Sequence, residues 1–169
     1  MGKLAINIFI FTAALFSAGC GVYGFRGNNP PAGINSIAVP TFKDVSGFSD
    51  PTLAENFTQR VKTRIISDNT FKVADKNIAD GILNCTITGV KDEAFVISSG
   101  ENVTRRKVTI AVTVDFENLK KQKVIWNKVF ENYGEYSSSG NTFSAREAGV
   151  NTAIDRISED IIIDLTSNW

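Results

Sequence analysis

The chain has 169 residues, enough for one domain and not comfortably for two. Its apolar share of 43% and charged share of 21% are those of an ordinary globular protein, not of a disordered one. Lysine plus arginine balance aspartate plus glutamate at 18 each, so the basic excess of a nucleic-acid binder is missing and no nucleic-acid partner is expected.

The N-terminus begins "MGK" and continues with "LAINIFIFTAALF", thirteen residues without a charge. "SAG" and then Cys20 follow. A basic start, an apolar run of this length and a small-residue exit predict a signal peptide over residues 1–19. The run is short of the roughly 20 apolar residues that a membrane span needs. Myristoylation is excluded because Ile6 stands where Ser or Thr is required. The order Ser17-Ala18-Gly19-Cys20 resembles a bacterial lipobox, with Ser17 in place of the usual Leu. Cys20 is therefore the predicted lipidation site and the first residue of a 150-residue mature chain. Gly21 after it is compatible with delivery to the outer membrane. Several acyl chains, at about 0.8 kcal/mol per buried methylene, make such an anchor stable. With Cys20 acylated, Cys85 has no disulfide partner and reads as a small buried thiol.

Residues 20–35 are rich in Gly, Asn and Pro and read as a tether. "SIAVPTF" is a short strand that Pro40 forces to an edge or breaks. Asp50 and Pro51 then open a helix in which Leu53, Phe57, Val61 and Ile65 form one apolar stripe. "KVAD" is a short extended piece. In "GILNCTITGV", Leu83, Cys85 and Ile87 alternate onto one face. "SSGEN" makes a turn into the clearest strand of the chain, where Val108, Ile110, Val112, Val114 and Phe116 take every second position. Its other face carries Lys107, Thr109, Ala111, Thr113 and Asp115, so that face should be wet or weakly covered. "NLKKQK" connects to a returning strand with Val124, Trp126 and Phe130 on one side. A second helix follows, opened by a Ser144–Glu147 capping box and striped with Val150, Ala153, Ile154, Ile157, Ile161 and Leu165. Residues 36–169 thus predict a single α+β domain: a two-layer sandwich of two helices on one face of a roughly four-stranded mixed sheet.

No histidine occurs, which removes Ser-His-Asp and Cys-His catalysis and the commonest zinc ligand. Two cysteines cannot form a thiolate cluster, and no phosphate-binding glycine loop is present. The adjacent carboxylates Asp92/Glu93 and Glu159/Asp160 read as solvated surface charge. No catalytic residue, metal or cofactor is assigned, and a hydrolase would need a converging carboxylate pair that nothing here selects. The remaining polar feature is cationic. Arg105, Arg106 and Lys107 enter the strongest strand, and Lys120 and Lys121 follow its end. Such clusters chelate phosphate oxygens, or merely protect strand edges and keep the surface soluble.

From "CGVYGF" through "PPAGINSIAVPTFKDVSGFSDPTLAENFTQRVKTRI", "ADGILNCTITGV" and "RRKVTIAVTVDFENLKKQKVIWNKVFENYGEY", the chain resembles LptE, the lipopolysaccharide-assembly lipoproteins of the Gram-negative outer membrane. The likeness lies with a shorter, divergent branch of that family. It implies a non-enzymatic protein, lipid-anchored on the periplasmic side of the outer membrane. It also implies partners: an LptD-like β-barrel, which the protein plugs and helps assemble, and lipopolysaccharide in transit to the cell surface. Arg105, Arg106, Lys107, Lys120 and Lys121 are then candidate lipopolysaccharide contacts, chosen by charge. The alternative is a docking or pilot subunit of another envelope or secretion machine.

Overall fold

The computed structural model describes residues 30–98 and 102–167. Cys20 and the predicted signal peptide lie outside them. The elements run β1 (Ser36–Ala38), β2 (Lys43–Asp44), α1 (Leu53–Asp68), β3 (Lys72–Val73), β4 (Gly81–Ser98), β5 (Asn102–Asn118), β6 (Lys123–Ser137) and α2 (Thr142–Thr166). The fold is α+β, with two helices packed on a mixed sheet of six strands rather than four. The two additions, β2 and β3, have two residues each, too few to show a period in sequence.

The sheet order is β3-β1-β4-β5-β6, with β2 pairing farther along β4. β1 is parallel to β3 and β4, while β4, β5 and β6 form an antiparallel meander. β1 is therefore not an edge strand. Pro40 instead lies in the break between β1 and β2. The chain is already in the core before β1, because Ile34, read as the end of the tether, is 3% exposed.

Both predicted stripes are buried. Leu53, Phe57, Val61 and Ile65 of α1 meet Ala153, Ile154, Ile157, Ile161 and Leu165 of α2 in one core. The inward faces of β4 and β5 and the aromatics of β6 complete it. Trp126 stands between Phe116 and Phe130, with ring centroids 5.7 and 6.0 Å away. Val124 departs from expectation and is 50% exposed. A bulge lets Phe116 face Trp126 but Glu117 face Val124, and the skipped residue turns Val124 to the opposite face.

The helix ends also shift. Asp50 Oδ1 accepts from the Thr52 N–H at 2.9 Å and from its hydroxyl at 2.8 Å, so it closes a turn and α1 starts only at Leu53. α2 starts before the predicted capping box. Asn141 is its N-cap, its side-chain oxygen accepting from Ser144 N at 3.3 Å. The extra turn carries Phe143, which is 77% exposed. α1 closes on Asn69 in the left-handed region (φ 60°), whose N–H returns to the Ile65 carbonyl.

Candidate functional site

Strand alternation splits the first basic cluster. Arg106 points to the helix side of β5, while Arg105 and Lys107 point to the face that no helix of the described residues covers. Arg106 Nε lies 2.9 Å from Asp92 Oδ1 and its Nη2 donates to the Asp92 carbonyl at 3.1 Å. The Tyr136 hydroxyl donates to the same carboxylate at 2.8 Å, and Arg146 Nε of α2 approaches Asp92 Oδ2 at 2.9 Å. The Arg146 guanidinium also stacks over Phe48 at 4.6 Å. Asp92 thus gathers two guanidinium groups and a phenol, and fastens the β4–β5 hairpin to the start of α2. Hydrogen bonding to Asp92 raises the Arg106 pKa. Burial, then the hydrogen bond to Asp92, raises that of Tyr136. Both stay protonated at neutral pH.

Asp92 and Glu93 were expected to be solvated surface charge. Alternation sends them to opposite faces, and each meets a cation. Glu93 Oε1 is 3.0 Å from Lys107 Nζ, which also lies 5.9 Å from the centroid of Phe95 and 5.7 Å from that of Tyr133. Arg105 Nη2 pairs with Glu135 Oε2 at 2.6 Å. Of the second acidic pair, Asp160 accepts from Asn132 Nδ2 at 3.2 Å. No sequence signal foretells these pairings, because they depend on register.

The second basic cluster lies beyond the other end of β5. Twelve residues separate Arg106 from Asn118, about 40 Å of strand, so the structure does not bring the two clusters together. Lys120 Nζ is 2.5 Å from Asp80 Oδ1. Asp80 Oδ2 accepts from Asn35 N at 2.9 Å, Ser36 N at 3.1 Å and Ser36 Oγ at 3.0 Å. These donors, Lys120 first, hold the Asp80 carboxyl well below the usual carboxylate range. Lys120 thereby ties the β5–β6 turn to the entry into β1. Lys121 lines a shallow depression of about 400 Å³ with Pro30, Pro31, Lys123, Val124 and Ile125.

Cys85 is 5% exposed, and burial followed by the Asp115 charge pushes its thiol pKa far up. It carries no thiolate chemistry at neutral pH. Among the described residues no three Cys, Asp or Glu side chains gather around a metal-sized site. No helix there is long and apolar enough to cross a membrane.

What remains is an architecture: one sheet face lies under two helices, and among the described residues nothing covers the other. Solved structures share the fold at 10–14% identity. A hypothetical protein from Chlamydia trachomatis superposes with a TM-score of 0.58 at 10% identity, over 79% of this chain and 96% of that one. A minor lipoprotein from Acinetobacter baumannii gives 0.55 at 10% identity, over 79% and 93%. The rare lipoprotein B of Shewanella oneidensis gives 0.52 at 13% identity, over 78% and 93%. These likenesses establish the fold. No curated protein matches the chain in sequence. The family model described as LptE, lipopolysaccharide-assembly, matches residues 34–167, nearly the whole described domain. The chain belongs to the LptE family of lipopolysaccharide-assembly lipoproteins, which are not enzymes.

Proposed function

We propose that this protein is held at the outer membrane by an acylated Cys20, occupies the lumen of an LptD-like β-barrel, and assists both the assembly of that barrel and the passage of lipopolysaccharide. Membership of the family carries the role in lipopolysaccharide assembly. The observation that favours a plug is the division of the molecule. The clustered charges Arg105, Arg106, Lys107 and Lys120 are spent on ion pairs within the chain, and among the described residues a broad, hydroxyl-bearing sheet face is left open. An enzyme would need converging reactive groups. A plug needs a rigid body with polar walls, because the lumen of such a barrel is polar.

In this reading residues 1–19 are removed, 20–35 form the lipidated tether and 36–169 form the plug. Lys121, at the depression beside β6, is the cation of the two clusters best placed to meet lipopolysaccharide phosphate, because Arg105, though 56% exposed, is held by Glu135. Arg106 and Lys120 act from inside, by holding Asp92 and Asp80. Depleting the protein should leave the barrel misassembled and lipopolysaccharide stranded in the periplasm. Normal surface lipopolysaccharide after depletion would overturn the proposal.

A further inference from the structure

On the face of β4, β5 and β6 turned away from the helices, small and hydroxyl-bearing residues form one block, with Lys91 on one flank and Glu131 on the other. Register places Thr86 opposite Thr113 and Thr113 opposite Val129; Gly89 faces Ala111, and Thr109 faces Tyr133. Thr88, exposed at the bulge in β4, donates to the Ala111 carbonyl at 3.2 Å. Most of the charge gathers at the ends. Lys107–Glu93 and Arg105–Glu135 lie toward the hairpin tip, and Asp115, bonded by Asn127, lies at the other end with Glu117. Two charges reach the block itself: Glu131, two residues along β6 from Val129 and opposite Ala111, and Lys91 on β4, opposite Thr109. Val124, Val129, Tyr133 and Phe95 add exposed apolar surface.

A face that only meets water gains solubility from long charged side chains. Threonine, alanine, glycine and valine instead make a flat, stiff surface that loses little side-chain entropy when covered. Threonine hydroxyls donate and accept, so they are satisfied by water before docking and by polar side chains after it. From Lys107 to Asp115 across three strands the face measures roughly 27 by 14 Å, or about 400 Å². A stable homodimer needs about 800 Å² per partner, so this face alone does not serve a second copy. An enclosing wall suffers no such limit, because it touches the body on other sides too.

We infer that this bare face, centred on Thr86, Ala111, Thr113 and Val129, is the surface that packs against the polar inner wall of the enclosing β-barrel. The inference rests on the plug proposal and adds which side of the sandwich meets the wall. The helix layer, with Ile66 and Ile163 exposed on it, then faces the open part of the lumen.

The test uses the acylated, full-length protein in its own outer membrane, with a photo-crosslinking amino acid placed singly at Thr113, Val129, Ile66 and Ile163. The two sheet positions should crosslink to the barrel at least fivefold more than the two helix positions. Equal or reversed yields would overturn the docking face while leaving the plug intact. Crosslinks between copies of this chain would overturn it in favour of a homodimer. A barrel that neither crosslinks at any position nor co-purifies with the wild-type protein removes the plug and the face together. Val129→Arg adds an independent readout. It should cut the co-purified barrel at least tenfold without moving the thermal unfolding midpoint, whereas Ile163→Arg should leave both unchanged. Retention of the barrel by Val129→Arg would contradict the inference.

Discussion

At Gly134 the backbone of α2 lies directly against the sheet. A Cβ built there would lie 1.9 Å from the Gly149 carbonyl oxygen of α2 and 2.8 Å from its carbonyl carbon. Backbone cannot swing aside as a side chain can, so Gly134→Ala must push α2 off β6. A destabilisation of about 3 kcal/mol, the upper end for overpacking, is expected in a urea titration. Gly149→Ala is the control. Its Cβ would meet Tyr136 Cδ1 at 3.3 Å and the Gly134 oxygen at 3.4 Å, a mild crowding. Alanine also gains about 1 kcal/mol of helix propensity over glycine. That variant should stay within about 1 kcal/mol of the parent. Neither glycine announces itself in sequence, since each matters only through the other, 15 positions away.

Asp80 supplies the pH dependence at the residue scale. Its folded pKa lies below the unfolded value of about 3.9. The stability it contributes is therefore present above pH 4 and is lost as the pH falls through the folded pKa. Asp80→Asn should lower the urea midpoint at pH 7. The gap between variant and parent should then narrow as both are taken from pH 5 toward pH 2. A constant gap across that range would refute the ionic tie to Lys120.

Among the elements, α1 and β5 were legible because their periods are long and regular. Leu53, Phe57, Val61 and Ile65 repeat every four residues over a 16-residue helix, and all are buried. Phe57 is fully enclosed and stacks on Phe42 at 4.8 Å. Phe57→Ala should cost about 3–5 kcal/mol. Less regular elements hid their pairing. β2 and β3 exist only because β4 and β1 offer open edges to short extended pieces. Val124 follows the alternation of β6 on paper, and a bulge that no local residue signals carries it to the other face. At the start of α2, Ser144–Glu147 fits the capping pattern, yet Asn141 one turn earlier competes for the same Ser144 N–H and wins. The hairpin of β4 and β5 is fastened by the Asp92 cluster, assembled from β4, β5, β6 and α2. Asp92→Asn removes the charge that two guanidinium groups share. It should cost about 1–2 kcal/mol and speed amide exchange in residues 91–98 and 102–107 more than in α1.

Over the whole molecule, the sequence-level picture of two helices packed on a mixed sheet holds, and among the described residues the second face is uncovered. The candidate site was less legible. Charge density marked Arg105, Arg106, Lys107, Lys120 and Lys121, but charge alone does not say which cations a fold keeps for itself. Register gives Glu135 to Arg105, Asp92 to Arg106 and Glu93 to Lys107, and a turn gives Asp80 to Lys120. The other pattern, Thr109, Ala111 and Thr113 in alternation, was visible on β5 but became a surface only when Thr86 and Val129 were set beside it.

The central claim is that this body fills an outer-membrane barrel. The most direct measurement is to solubilise the outer membrane in mild detergent, purify the acylated protein by affinity, and identify what accompanies it. Recovery of an LptD-like β-barrel, lost when Cys20→Ala mislocalises the protein, is the predicted result. Recovery of the components of a different envelope machine, with no barrel present, would contradict the account.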